Sequence, residues 1–217
     1  MSHRYSPPRL APGSIPFNRL GFDIDGVVAD IMTTFLDMAQ ERYGPHPFNY
    51  DDITTFYLED CLGFDPSVVA ALIRELIDRP HELPVEPFPQ AVPVLSRLAE
   101  EAPLVFVTAR DRPEPIQLWL NRALAPVPSR SIWVMATGDP DTKLHYLRAH
   151  AIQYFVEDRL ETCFDLAKAG ITPIVFAQPW NRKPHPFLEV AGWPELARLL
   201  FEDNGEGAKG DIFSPPT

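Results

Sequence analysis

The chain has 217 residues, enough for a full α/β core with room for a small insertion. Its formal charge of −11 and pI near 4.9 argue against a nucleic-acid polymer as partner, which needs a basic face. No stretch approaches the roughly 18 apolar residues of a membrane span, and Met1–Asn18 lacks the apolar core of a signal peptide, so a cytoplasmic protein is expected, with no disulfide framework from Cys61 and Cys163.

In chain order, residues 1–17 read as a flexible tail rich in proline. Leu20 to Ile24 reads as a short strand running into Asp23-Ile24-Asp25-Gly26. A helix follows, because Val28, Ile31, Met32, Phe35, Leu36 and Ala39 share one helical face, and Gly44-Pro45 stops it. Two more helices are expected at about 52–62 and 66–79, the second opened by Asp65-Pro66. A proline-laden connector, Pro80 to Pro89, leads to a helix at about 91–101. Strands at Leu104–Thr108, Ser131–Met135, Ile152–Val156 and Pro173–Phe176 then alternate with helices at about 114–124, 142–149, 160–169 and 194–202. Residues 203–217 read as a second flexible tail.

Short runs of Val, Ile and Phe suit strands buried on both faces of a parallel sheet. Their alternation with helices implies a doubly wound, Rossmann-like α/β fold. Such sheets place ligands beyond the carboxyl ends of their strands, which is where chemistry should be sought. Asp23 and Asp25 stand at the end of the first strand, Thr108 at the end of the second, and Glu157-Asp158 directly after the fourth. Lys143 opens the helix before that fourth strand.

Singly, each has a plain explanation. Asp-x-Asp makes turns and helix caps, a strand-end threonine bonds backbone, a lysine on a helix is usually solvated, and an acidic pair caps helices. Together, in this order at one edge of one sheet, they are far better explained by one active site than by separate coincidences. The acidic charge does not exclude a small phosphorylated substrate, because a metal ion and a few cations can reverse the field in one pocket. His145 lies near Lys143 without a zinc spacing, and no histidine is assigned to a metal.

These residues resemble the motifs of the haloacid dehalogenase (HAD) superfamily, in its phosphatase branch. The matching segments are Gly21-Phe22-Asp23-Ile24-Asp25-Gly26-Val27, Val105-Phe106-Val107-Thr108, Lys143, and Val156-Glu157-Asp158-Arg159. The resemblance implies that Asp23 is a nucleophile and Asp25 a general acid and base. It implies Mg²⁺ held by the Asp23 carboxylate, the Asp25 backbone carbonyl and Asp158, with phosphoryl oxygens on Thr108 and Lys143. Glu157 is placed beside the metal or on a metal-bound water. Dehalogenases of the superfamily lack the second aspartate, so Asp25 favours phosphate chemistry. Gly21 makes the first strand less hydrophobic than the motif usually is.

The interval between the first two strands is far longer than the dozen or so residues a crossover needs. It leaves residues 31–90 as an inserted helical cap on a core formed by 18–30 and 91–202. In the superfamily such caps close over the site. The stretches Asp51 to Leu58 and Phe176 to Arg182 resemble the 5'(3')-deoxyribonucleotidase-like branch, which implies a nucleoside monophosphate as substrate. Phe56, Tyr57 and Trp180 are candidates to stack on a base, although each residue type is more often packing. Arg110, two residues beyond Thr108, is a candidate contact to phosphate or sugar, or else the partner of a surface acid. A phosphomutase of the same fold, a phospho-receiver signalling module and a catalytically idle nucleotide-binding protein remain as alternatives.

Overall fold

A computed structural model describes residues 10–202. Six parallel strands form one sheet: β1 (Leu20–Phe22), β2 (Leu104–Thr108), β3 (Ile132–Ala136), β4 (Tyr154–Glu157), β5 (Thr172–Phe176) and β6 (Leu188–Val190). Their order is β3-β2-β1-β4-β5-β6. The chain winds outward from β1 through β2 to β3, then returns to lay β4 on the other side of β1. That reversal opens a crevice at the carboxyl ends of β1 and β4, the switch point where doubly wound sheets bind ligands.

The central strands are apolar because helices cover both faces, and Phe22, Phe106, Phe155, Val156 and Ile174 are fully buried. Gly21 in β1 has a packing reason. A Cβ there would lie 3.1 Å from the Phe155 ring, so the missing side chain makes room for that phenylalanine. β3 is an edge strand and departs from the expected double burial, with Trp133 48% exposed. β6 was not expected. Its three residues sit among proline and glycine, too short for a periodic signal, and pair with β5 from Ile174↔Leu188 to Phe176↔Val190.

The helices are α1 (Ile31–Tyr43), α2 (Pro66–Asp78), α3 (Ala91–Ala99), α4 (Glu114–Ala123), α5 (Lys143–Ala149), α6 (Leu160–Lys168) and α7 (Trp193–Phe201). α1 starts later than the periodicity suggests. The amides of Val27, Val28 and Ala29 all turn back onto the Ile24 carbonyl, and the Asp30 carboxylate accepts from Thr33 N–H at 3.1 Å to cap the helix.

The helix expected at about 52–62 is absent and is replaced by 3-10 turns at Tyr50–Asp52 and Leu58–Asp60. Asn49 and Asp52 close a capping box on one turn. The β-branched run Ile53-Thr54-Thr55 then resists helix, and the Thr55 hydroxyl donates to the Tyr57 carbonyl at 2.7 Å.

The tail expected over 1–17 is corrected in its second half. Ile15 is buried, Gly13 N–H donates to Leu199 O at 2.9 Å, and Phe17 meets Phe201 edge-on at 5.5 Å. Residues 1–9 and 203–217, the rest of the two expected tails, lie outside the described residues. Among the described residues no helix is long and apolar enough to cross a membrane.

Two tryptophans fasten segments around the crevice. Trp193 at the start of α7 donates its indole N–H to Val27 O at 2.8 Å, fixing the turn after Asp25. Trp119 on α4 donates to Val85 O at 2.9 Å, fixing the return of the inserted segment.

Candidate active site

Asp23 follows β1 directly, and its N–H continues the ladder to Val156 O at 2.9 Å. Its Oδ1 accepts from Ile24 N–H at 2.8 Å, and its Oδ2 lies 2.7 Å from Lys143 Nζ. Lys143, the first residue of α5, is only 2% exposed and reaches Glu157 Oε2 at 2.9 Å as well. Its ammonium thus bridges the ends of β1 and β4. Burial opposes that charge, but the attraction of Asp23 and Glu157 outweighs it and holds the ammonium above the ordinary lysine pKa.

Glu157 accepts at Oε1 from the N–H groups of Asp158 (3.2 Å) and Arg159 (3.0 Å). Burial works against this carboxylate too, yet Lys143 and the backbone donors keep it below its usual range. With both oxygens engaged, Glu157 aims Lys143 at Asp23.

Asp158 is held by a loop that follows β5. Trp180 Nε1 donates to Asp158 Oδ2 at 2.9 Å, and Asn181 Nδ2 donates to Asp158 O at 2.8 Å. Gln178 Nε2 donates to Gly26 O at 2.6 Å, while its Oε1 accepts from Tyr50 O–H at 2.9 Å. Gly26 has φ +77°, and a Cβ there would overlap the Asp158 carboxylate. Glycine is therefore required both by the backbone and by the acid that sits against it.

One oxygen from each of Asp23, Glu157 and Asp158 lies within 4.8 Å of the other two. Burial pushes Asp23 up to about 8, with Lys143 opposing and the Glu157 and Asp25 charges adding to the rise. Asp158 is raised as well, first by burial and then by the charges of Glu157 and Asp23. One ammonium does not balance three buried carboxylates. An oxygen-seeking divalent cation would, and the carboxylate oxygens of Asp23 and Asp158 keep lone pairs beyond the contacts above with which to hold one.

Thr108 ends β2 beside these groups, and its Oγ1 accepts from Arg110 N–H at 3.3 Å. Asp25 also faces the crevice, but Arg110 does not stand free to meet substrate. Its Nε and Nη2 donate to the two oxygens of Asp25 at 2.9 and 2.8 Å. Its Nη1 donates to Leu76 O at 3.1 Å and Ile77 O at 2.6 Å. The residue singled out in sequence for substrate is thus engaged with the second aspartate and with α2.

A cavity of about 400 Å³ covers the site. Asp23, Asp25, Thr108, Lys143 and Asp158 form its floor, and Ile31, Ile53, Phe56, Tyr57, Val69 and Ile73 from the inserted segment form the facing wall. Phe56 and Tyr57 are 43% and 55% exposed and meet at right angles, and the Arg159 guanidinium lies 5.2 Å over the Phe56 ring. Trp180 lines the cavity too, but it is buried and its polar edge serves Asp158.

Sequence reasoning missed the work of Gln178, Trp180 and Asn181. Their signal was a polar-aromatic cluster directly after a buried strand, at the same sheet edge as the acids.

Residues 18–203 match the family model described as "5' nucleotidase, deoxy (Pyrimidine), cytosolic type C protein". A protein of Halalkalibacterium halodurans, a candidate nucleotidase by name, is 27% identical over 195 residues, covering 85% of this chain and 93% of its own length. Among solved structures, a HAD-superfamily hydrolase from Ehrlichia chaffeensis superposes with a TM-score of 0.53 at 15% identity, covering 84% of this chain and 95% of the other. A haloacid dehalogenase-like hydrolase from Streptococcus pneumoniae gives 0.54 at 14% identity, covering 82% and 95%. At such identities these two structures speak for the fold alone. The family match runs across nearly all of the described residues and takes in both ends of the crevice, and by it the chain belongs to this nucleotidase family and is a phosphatase of the haloacid dehalogenase superfamily.

Proposed function

We propose that the chain is a Mg²⁺-dependent phosphomonoesterase that forms a phosphoaspartate on Asp23 and that its substrate is a nucleoside monophosphate. The observation that carries the reading is one cavity whose floor gathers Asp23, Asp25, Lys143 and Asp158 and whose facing wall is apolar and aromatic. Asp23 and Asp158 would hold the cation, with the Asp25 carbonyl, and the cation would neutralise phosphate charge so that an anionic carboxylate can approach it.

The protein's own groups do the rest. A carboxylate oxygen of Asp23 attacks phosphorus in line, and the bond from phosphorus to the ester oxygen breaks. Asp25 gives its proton to the departing alkoxide. Asp25, now a carboxylate, takes a proton from the water that attacks the phosphoaspartate, and the bond between Asp23 and phosphorus breaks to release inorganic phosphate. Lys143, locked by Glu157, and Thr108 bind the phosphoryl oxygens on which charge spreads. A reducing, cytoplasmic setting accords with Cys61 and Cys163 both being free.

The nucleotide preference rests on Phe56 and Tyr57, the rings of the facing wall that remain exposed. Stacking of a base on such a ring contributes about 1–3 kcal/mol, which is roughly 5- to 150-fold in kcat/KM if realised in the transition state. The test compares a deoxyribonucleoside monophosphate with deoxyribose 5-phosphate, in wild type and in Phe56→Ala and Tyr57→Ala. The nucleotide should be preferred within that range, and at least one variant should shrink the preference. Equal kcat/KM for the two esters in wild type would leave a phosphatase without nucleotide selectivity.

A further inference from the structure

Arg110 is a buried guanidinium, 3% exposed, between two partners from different parts of the chain. On one side stands the Asp25 carboxylate, gripped by two N–H groups in the fork geometry that fixes a carboxylate in plane. On the other side are Leu76 O and Ile77 O, carbonyls of the last turn of α2. A helix end leaves its final carbonyls without intrahelical partners and carries partial negative charge, so a cation is favoured there. Four of the five guanidinium N–H groups are thereby committed. This leaves little to offer a substrate phosphate.

Arg110 stands on the core, two residues past the end of β2, whereas α2 belongs to the segment inserted between β1 and β2. If α2 withdraws, Nη1 loses both carbonyls at once. The guanidinium then stands in the crevice with a single anchor, and the placement of Asp25 loosens with it. With α2 docked, the same arginine is held from both ends. The proton-transfer group and the apolar wall are therefore joined through one side chain, while Asp23, Lys143 and Asp158 are held by bonds within the core alone.

We propose that Arg110 is a positioning residue that acts through Asp25 and makes the placement of that acid depend on the docking of α2. The proposal rests on the phosphohydrolase reading, with Asp25 as general acid.

The test follows leaving-group release in a single turnover, so that water attack on the phosphoaspartate does not enter. Wild type, Arg110→Met, Arg110→Lys, Asp25→Asn and the Arg110→Met/Asp25→Asn double variant are each given a nucleoside monophosphate and 4-nitrophenyl phosphate. A general acid contributes about 10²- to 10⁴-fold for a poor leaving group and little for an activated aryl one. Arg110→Met should therefore slow the nucleotide about 10-fold or more beyond its effect on the aryl ester. Arg110→Lys should recover part of that loss, and the double variant should be no slower than Asp25→Asn. Inhibition by inorganic phosphate should be unchanged in Arg110→Met. Hydrogen exchange across residues 66–83 should quicken in Arg110→Met and not in Asp25→Asn.

Equal losses on both esters with weaker phosphate inhibition would make Arg110 a phosphate ligand and overturn the proposal. Equal losses with unchanged inhibition would reduce it to structural glue, and unchanged exchange in α2 would remove the dependence on docking. A wild type that hydrolyses neither ester would overturn the phosphohydrolase reading itself, a result distinct from all of these.

Discussion

The floor of the cavity carries Asp23, Asp25, Thr108, Lys143 and Asp158 on strand ends and a helix start, whereas the facing wall presents Ile31, Ile53, Val69 and Ile73 with the rings of Phe56 and Tyr57. The floor is dense in charge, and nearly every polar atom in it has a short contact to another. The wall has few polar groups, and its aromatic corner lies in irregular chain between two 3-10 turns instead of on a helix. Polar chemistry needs fixed distances, which a parallel sheet supplies. Apolar contact with a substrate needs only area, which turns and a helix face can supply in many ways. Under the proposed function, reaction belongs to the floor and choice of substrate to the wall.

That division can be broken most decisively at Asp23. Asp23→Asn should lower turnover roughly 10³-fold or more while leaving the melting temperature near or above that of wild type, because a nearly isosteric neutral amide avoids the cost of burying the charge. Activity within ten-fold of wild type would remove Asp23 from the chemistry.

Chelation should come next in size. EDTA should silence the phosphatase, and Mg²⁺ should restore it better than Ca²⁺, whose larger and looser shell suits this compact oxygen set less well. Since burial raises Asp23 to about 8 and Asp158 in the same direction, binding the cation must displace protons. Mg²⁺ affinity measured by titration calorimetry should therefore rise as pH approaches about 8, with protons released on binding.

Glu157→Gln probes the alignment of Lys143. It removes one of two anionic partners from a buried ammonium, and breaking such a pair costs about 3–5 kcal/mol of stability in general. The melting temperature should fall, and kcat should fall with KM for phosphate esters rising. A variant with unchanged kcat and KM would mean that Lys143 is held well enough by Asp23 alone.

The mildest test separates floor from wall at Trp180. Trp180→Phe deletes the donor to Asp158 Oδ2 and keeps most of the ring. Outer partners of this kind are worth about 10- to 100-fold in metal affinity. Mg²⁺ should bind about 10-fold more weakly, while the preference for nucleotide over sugar phosphate stays as in wild type. A changed preference with unchanged Mg²⁺ binding would move Trp180 to the wall.

The same division explains what could be read from the sequence. Asp23, Thr108, Lys143 and Asp158 were legible because each sits where a buried apolar run ends or a helix begins, and a parallel sheet turns that one-dimensional mark into a shared edge. The parallel, doubly wound sheet was implied by the alternation of elements, whereas its strand order was not, and the three-residue β6 escaped. Arg110 was read as a contact to phosphate or sugar or else as the partner of a surface acid, and the acid it meets is Asp25, inside the crevice. Its other partners are the backbone carbonyls of Leu76 and Ile77, which no side-chain pattern announces. Trp180 was read as a flat ring, whereas its N–H is what the site uses. The turns over 50–60 were hidden because spaced hydrophobics imitate a helix, while the Ile53-Thr54-Thr55 run and its local hydrogen bonds decide against one.

The central claim is covalent phosphoryl transfer to Asp23, and a trapping experiment on Asp25→Asn tests it most directly. With 4-nitrophenyl phosphate and Mg²⁺, the first step needs no general acid, whereas water attack needs the missing base, so the intermediate should accumulate. The account expects a burst of nitrophenolate close to one equivalent per active site, and after acid quench a phosphoryl group on the peptide that carries Asp23. A steady release with no burst and an unlabelled Asp23, or a label on another residue, would contradict it.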